Sequence, residues 1–241
     1  RSETALPPLY YGTIDATALW VCLLRDAWRW GMPPAEVRAL LPNLRAAITW
    51  ILEYSDMDGD GFAEYFDESG RGLANQGWKD SSDAIRFADG TIATGPVALA
   101  EVQGYQYEAV LAADELFAAL GADGTGLLPF ADALADRFRR RFWVRGDAGR
   151  YPALALDGAK RPVDTPTSNM GHLLGTGLLD DDESEEVGAR LLRADLAGGF
   201  GLRTMSAVAG GYAPLSYHCG SVWPHDTAVV IRGLARTGQR S

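Results

Sequence analysis

Two apolar runs of helical period, set on either side of a four-residue break, constrain this chain more than any other feature. From Asp15 to Trp30, apolar residues recur at Leu19, Cys22, Leu23, Ala27 and Trp30, and Gly31 with Pro33-Pro34 ends the run. Ala35 to Tyr54 repeats the pattern through Val37, Leu40, Leu41, Leu44, Ile48, Ile51 and Leu52. The spacing predicts two helices joined by a short turn, an antiparallel αα-hairpin. That hairpin is the unit to look for along the rest of the chain.

It recurs. Pro96 is expected to open a long helix through Leu120, and Leu128 to Phe142 follows after the Gly124–Gly126 break, with Leu134, Phe138 and Phe142 on one face. Ser168 reads as an N-cap for a short helix over Met170–Leu178, with Glu183–Leu192 as its outer partner. A last helix is expected from about Val222 to Thr237. Between these lie long polar stretches: residues 55–95, with short strands expected at 61–66 and 87–92, then 144–167, then a Gly-rich loop at 200–220. About seven helices, separated by alternately long and short loops, fit hairpins arranged around a ring, inner helices aiming their N-termini at a central funnel. No fixed period near ~34 or ~40 residues supports a generic helical repeat.

Composition removes several functions. The 241 residues are 47% hydrophobic, enough for a sizeable core. The net charge is −10 and no Lys/Arg cluster could track a phosphate backbone, so nucleic acid and anionic membrane are not expected partners. No apolar segment nears the ~20 residues of a membrane span, and Arg1–Pro8 lacks a targeting run, so a soluble, cytoplasmic protein is expected. Cys22 and Cys219 belong to no metal or redox spacing and read as buried thiols.

Chemistry gathers in a few places. Leu73 to Asp83 combines Asn75, Gln76, Trp78, Asp80 and Asp83 in one Gly-punctuated loop: an indole to stack on a pyranose, amides to bond hydroxyls, a carboxyl to move a proton. Tyr217 to Asp226 crowds His218, Trp223, His225 and Asp226 at a loop-to-helix junction, whose free N–H groups favour polar ligands. His172 sits at another helix start, and Glu101-Val102-Gln103-Gly104-Tyr105 near a third. Trp20, Trp30, Trp50 and Trp143 lie at helical spacing and read as core. Asp56-Met57-Asp58-Gly59-Asp60-Gly61 opens like a calcium loop, but its twelfth position is Asp67 and its far side reads as strand, so a tight acidic turn competes with a Ca2+ site at Asp56, Asp58 and Asp60. No Gly-x-Ser-x-Gly elbow or phosphate loop is present.

Taken in order, Tyr11–Thr17, Asp56–Tyr65, Asn75–Asp80, Glu101–Tyr105, Ser168–Leu174 and Ser216–Asp226 resemble the bacterial amylo-α-1,6-glucosidase (glycogen debranching enzyme-type) family, across nearly the whole chain. The match is more specific for the wider clan of all-α, (α/α)6-toroid, six-hairpin glycosidases, which includes trehalases and mannosyl-oligosaccharide glucosidases. The resemblance implies an inverting α-glucosidase acting on an oligosaccharide or polysaccharide without a cofactor. Asp80 matches the general acid, and Asp15, Trp78, Gln103, His218 and Trp223 match positions facing the sugar. Asn75, Glu101, His172 and Asp226 join them as candidate substrate contacts. A full ring needs about twelve helices, so residues 1–241 are expected to form one toroid catalytic domain incomplete at both ends. The base carboxylate, which inverting chemistry places about 6.5–9.5 Å from the acid, is expected after Ser241. A sugar-binding or scaffold protein that kept the groove and lost the reaction is the alternative.

Overall fold

The Asp15–Tyr54 region closes as a helical pair, but its second run breaks in two. In the computed structural model, which describes residues 6 and 8–238 other than 68, 71 and 148, α1 spans Ala16–Arg29, α2 Pro34–Ala39 and α3 Leu41–Glu53. The break at Leu40 follows from Pro42, which has no N–H to give and so belongs in the first turn of a new helix. Of Arg1–Pro8, only Leu6 and Pro8 lie among the described residues.

The long helix starts later than its proline suggested. Residues 98–99 are strand β1, and α4 runs Ala100–Leu120. β1 pairs antiparallel with β4 (Ala155–Leu156), which pairs with β5 (Pro162–Val163). Ahead of them, β2 (Trp143–Gly146) and β3 (Gly149–Pro152) form a hairpin in the stretch expected to be loop. The expected strands around 61–66 and 87–92 reduce to the single bridges Tyr65–Val97 and Arg86–Ile92.

Burial sorts the helices into inner and outer. Every residue of α4 from Ala100 to Gln106 is buried, so its first two turns have protein on all sides. By contrast α3 buries only the stripe Leu44, Ile48, Ile51, and α5 (Leu127–Arg141) the stripe Leu127, Ala131, Leu134, Ala135, Phe138. One-sided stripes mark outer helices. α1 and α5 pack on α4, and the three cores of the described residues all draw on β1 or α4. Trp20, Trp50 and Trp143 pack against these cores, whereas Trp30 is 92% exposed and is not core.

The expected helix after Ser168 is a 3-10 turn, Ser168–Leu173, with Thr167 rather than Ser168 at its N-cap position and no side-chain cap. It packs on α4, where Gly104 admits it: a Cβ there would stand 2.9 Å from a Leu173 methyl. The approach that Gly104 permits is thus this turn. α6 (Asp181–Leu191) opens with a capping box: Asp180 accepts from the Glu183 N–H at 2.8 Å, and Glu183 from that of Asp180 at 3.0 Å. α7 (Pro224–Arg236) is the last helix, and among the described residues no helix is long and apolar enough to cross a membrane.

Candidate active site

Asp80 stands on a loop braced from both sides. Asn75 donates to the Ser81 carbonyl at 2.7 Å and accepts from the Tyr65 hydroxyl at 2.7 Å, closing the loop over its own chain. Ile14 donates its N–H to Gln76 O at 2.9 Å, which brings the start of α1 and Asp15 against the loop. Gly77 lies on Leu99, where a Cβ would meet a methyl at 2.4 Å, so only glycine lets the loop sit so low. The Asp80 side chain remains 49% exposed.

Around it stand the three histidines of the chain, all packed on one indole. Trp78 stacks on His172 at 5.6 Å between ring centroids and meets His218 and His225 edge-on at 5.5 and 5.3 Å. Trp223 stacks on the far side of His218 at 5.4 Å, and Tyr217 stands against both. Flat, partly exposed rings beside a free carboxylate are what a pyranose can stack on. The Trp78 indole N–H is buried and has no partner among the described residues.

Beneath the rings lies a buried polar network. Burial raises the Tyr105 phenol far above its ordinary range, so the hydroxyl stays protonated and donates a hydrogen bond to His172 Nδ1. His172 is thereby a donor at Nε2, which meets Asp226 Oδ1 at 2.7 Å. Burial alone would raise Asp226, but the His172 hydrogen bond and the Lys79 charge outweigh it and hold the carboxyl low. Glu101, its pKa raised by burial, accepts from Asn169 at 2.7 Å. Lys79 is 1% exposed, its ammonium 2.6 Å from Thr204 O and 5.1 Å from the Trp78 ring, and burial draws its pKa down to about 8.

The structure thus brings Asn75, Trp78, Glu101, His172, His218, Trp223 and Asp226 to the Asp80 loop, in two layers. Asp80, Trp78 and Trp223 are accessible, whereas Asn75, Glu101, His172, His218 and Asp226 are buried and bonded. Asp15, 8% exposed, accepts from the Thr13 hydroxyl at 2.6 Å. Gln103 departs from the expectation of a sugar contact: it is fully buried, and its amide bonds Ala63 N and O and Leu99 O at 2.9–3.0 Å. Lys79, Ser81 and Tyr105 are the members that sequence reasoning did not single out. Tyr105 was within reach, one helical turn after Glu101 on the same face of α4; a lysine that buries itself carries no such signal.

Asp56, Asp58 and Asp60 lie apart from this group. Asp56 accepts from Gly59 and Gly61 N–H at 2.8 Å, and Asp58 and Asp60, with Glu64, surround the ammonium of Lys160. A surface cleft of about 740 Å³ between the β2–β3 turn and the end of α6 contains none of the residues above.

Comparison with known proteins places the geometry. Residues 9–241 match the model of the mannosylglycerate hydrolase MGH1-like glycoside hydrolase domain. Two solved structures from Thermus thermophilus superpose over almost the whole chain. One is an uncharacterised conserved protein (TM-score 0.73, 14% identity, 97% of this chain and 68% of that one). The other is a GH63 mannosylglycerate hydrolase in complex with glucose (TM-score 0.72, 15% identity, 98% and 66%). The neutral trehalase of Saccharomyces cerevisiae aligns over 70% of this chain and 32% of its own, with TM-score 0.51 and 12% identity. A search of curated proteins gives no match. The chain spans about two thirds of the length of the mannosylglycerate hydrolase, at 66%. The debranching-enzyme resemblance therefore holds for the six-hairpin glycosidases as a group, while the family that matches is another. With a domain model covering all but its first eight residues, this chain belongs to the mannosylglycerate hydrolase MGH1-like glycoside hydrolase family.

Proposed function

We propose that this protein hydrolyses a short α-glycoside, a mannoside or glucoside on a small acceptor, with Asp80 as general acid. The observation that carries the reading is the accessible Asp80 carboxylate, set on a doubly braced loop beside the Trp78 and Trp223 rings. A sugar stacked on those rings would present its glycosidic oxygen to Asp80, which gives up a proton as the bond to the anomeric carbon breaks. A second carboxylate would draw a proton from water on the opposite face, inverting the centre. Glu101 and Asp226 are poor candidates for that base, since both are buried and bonded to Asn169 and His172. We assign the base to a carboxylate outside this group.

Small glycosides are favoured over branched glucan because the matched family and the named structural relatives are a mannosylglycerate hydrolase and a trehalase. The test is release of free sugar from mannosylglycerate, trehalose and α-1,4- and α-1,6-linked glucosides. Turnover of one of the first two supports the reading. Turnover of the α-1,6 glucoside alone restores the debranching activity, and binding without turnover marks a protein that kept the groove and lost the reaction.

A further inference from the structure

The acidic loop after α3 contains a cation of the protein's own. Asp56 accepts from Gly59 and Gly61, Asp58 from the N–H of Asp60, and Asp60 from that of Phe62, so the backbone turns each carboxylate toward one centre. At that centre lies the Lys160 ammonium, 2.8 Å from Asp58, 2.9 Å from Asp60 and 2.7 Å from Glu64. The ammonium hydrogen-bonds Glu64 and stands at ion-pair distance from Asp58 and Asp60, so one cation faces three carboxylates. The Glu64 side chain is fully buried and its second oxygen has no hydrogen-bond partner, a group that a cation with more than three coordination positions would engage. Asp67, the twelfth position, instead accepts from Ser69 and Gly72.

Lys160 reaches this place at a conformational cost. Its φ is +59°, in the left-handed region, and it is the sole non-glycine residue there among those described. The turn is built to hold it so: the fully buried Asp157 accepts from the N–H groups of Ala159 and Arg161 at 3.0 and 2.8 Å, and Lys160 N–H bonds Asp157 O at 2.7 Å. A calcium ion about 2.3–2.6 Å from the same oxygens would stand where the ammonium stands. The two exclude one another.

We propose that the Asp56–Glu64 loop is a cation site filled by the Lys160 ammonium, and that removing this side chain turns it into a site for a hard divalent cation such as calcium. The inference is independent of the hydrolytic reading. Melting of the wild-type chain and of Lys160→Gly, in EDTA and in millimolar calcium or magnesium chloride, tests it. Glycine relieves the left-handed backbone as it removes the charge, and Lys160→Met, which keeps the bulk, controls for that. The wild type is expected to melt at one temperature under all conditions. Lys160→Gly should melt several degrees lower in EDTA and recover with calcium more than with magnesium. A wild type stabilised by calcium or weakened by EDTA would overturn the proposal even if neither variant folds, because the ion would then displace the lysine. So would a Lys160→Gly chain indifferent to calcium.

Discussion

Asp80 Oδ1 lies 3.9 Å from His218 Nδ1, and the two do not form an ion pair. Nδ1 already takes the Ser81 N–H at 3.4 Å and faces the Ser81 hydroxyl at 2.9 Å, so it is an acceptor and its ring is neutral. Burial, reinforced by the Lys79 charge, lowers the His218 pKa from its ordinary 6.5 to about 4. The carboxylate therefore stands beside a neutral imidazole that orients its loop through Ser81.

That relationship has a pH signature. A histidine whose pKa is lower folded than unfolded refuses a proton that the unfolded chain accepts. Its contribution to stability is complete above 6.5 and is lost as pH falls toward about 4. Melting temperature should decline through that window, and His218→Gln should decline less steeply than the wild type. Parallel curves would exclude His218 as the source.

Asp80→Asn should lower hydrolysis of substrates with poor leaving groups by about 10²–10⁴-fold, the usual contribution of a general acid. Because the side chain is half exposed, melting should change little. A variant that stays active but melts early would make Asp80 structural and turn attention to Asp83.

Gly77→Ala tests the seat of the loop. The added methyl would meet Leu99, which is buried and held in β1, so neither side can yield cheaply. Overpacking of this kind costs about 1–3 kcal/mol. Trp78 would be lifted with the backbone, so sugar affinity should fall along with stability; unchanged melting would show that the loop has room.

How far the sequence carried this reading depends on whether a signal was local. The stripes Leu44, Ile48, Ile51 and Leu127, Ala131, Leu134, Phe138 are periodic because one face meets water, and both lie in helices within the runs expected to be helical, although the first of these runs divides at Leu40. The start of α4 is buried on every side, so its boundary carries no periodicity, and its proline lies before a strand. Strand 98–99 pairs with 155–156 across some sixty residues of chain, and 155–156 with 162–163 in segments of only two residues, too short to leave a local pattern. At the site, residue types marked Trp78, His172 and the pair His218 and Trp223 as separate candidates, and the structure packs their rings together. Which of them face solvent was set by tertiary packing. Trp30, at helical spacing yet exposed, shows the reverse error.

Asn75 separates bracing from sugar contact most directly. It is 6% exposed, and both ends of its amide are engaged, accepting from a Tyr65 phenol that burial keeps protonated and donating to Ser81 O. Asn75→Ala takes the acceptor from the buried Tyr65 hydroxyl and one of two donors from the Ser81 carbonyl, which keeps the Ala84 N–H; an unsatisfied buried group costs about 1–3 kcal/mol, so melting should fall. Since the Ser81 carbonyl is one residue from the acid, kcat should drop while KM changes little. Tyr65→Phe removes only one of the two bonds and should give a smaller loss, and the double variant should cost less than the sum, because both residues serve one link. If Asn75→Ala raised KM and left melting and kcat intact, its amide would be touching the sugar instead.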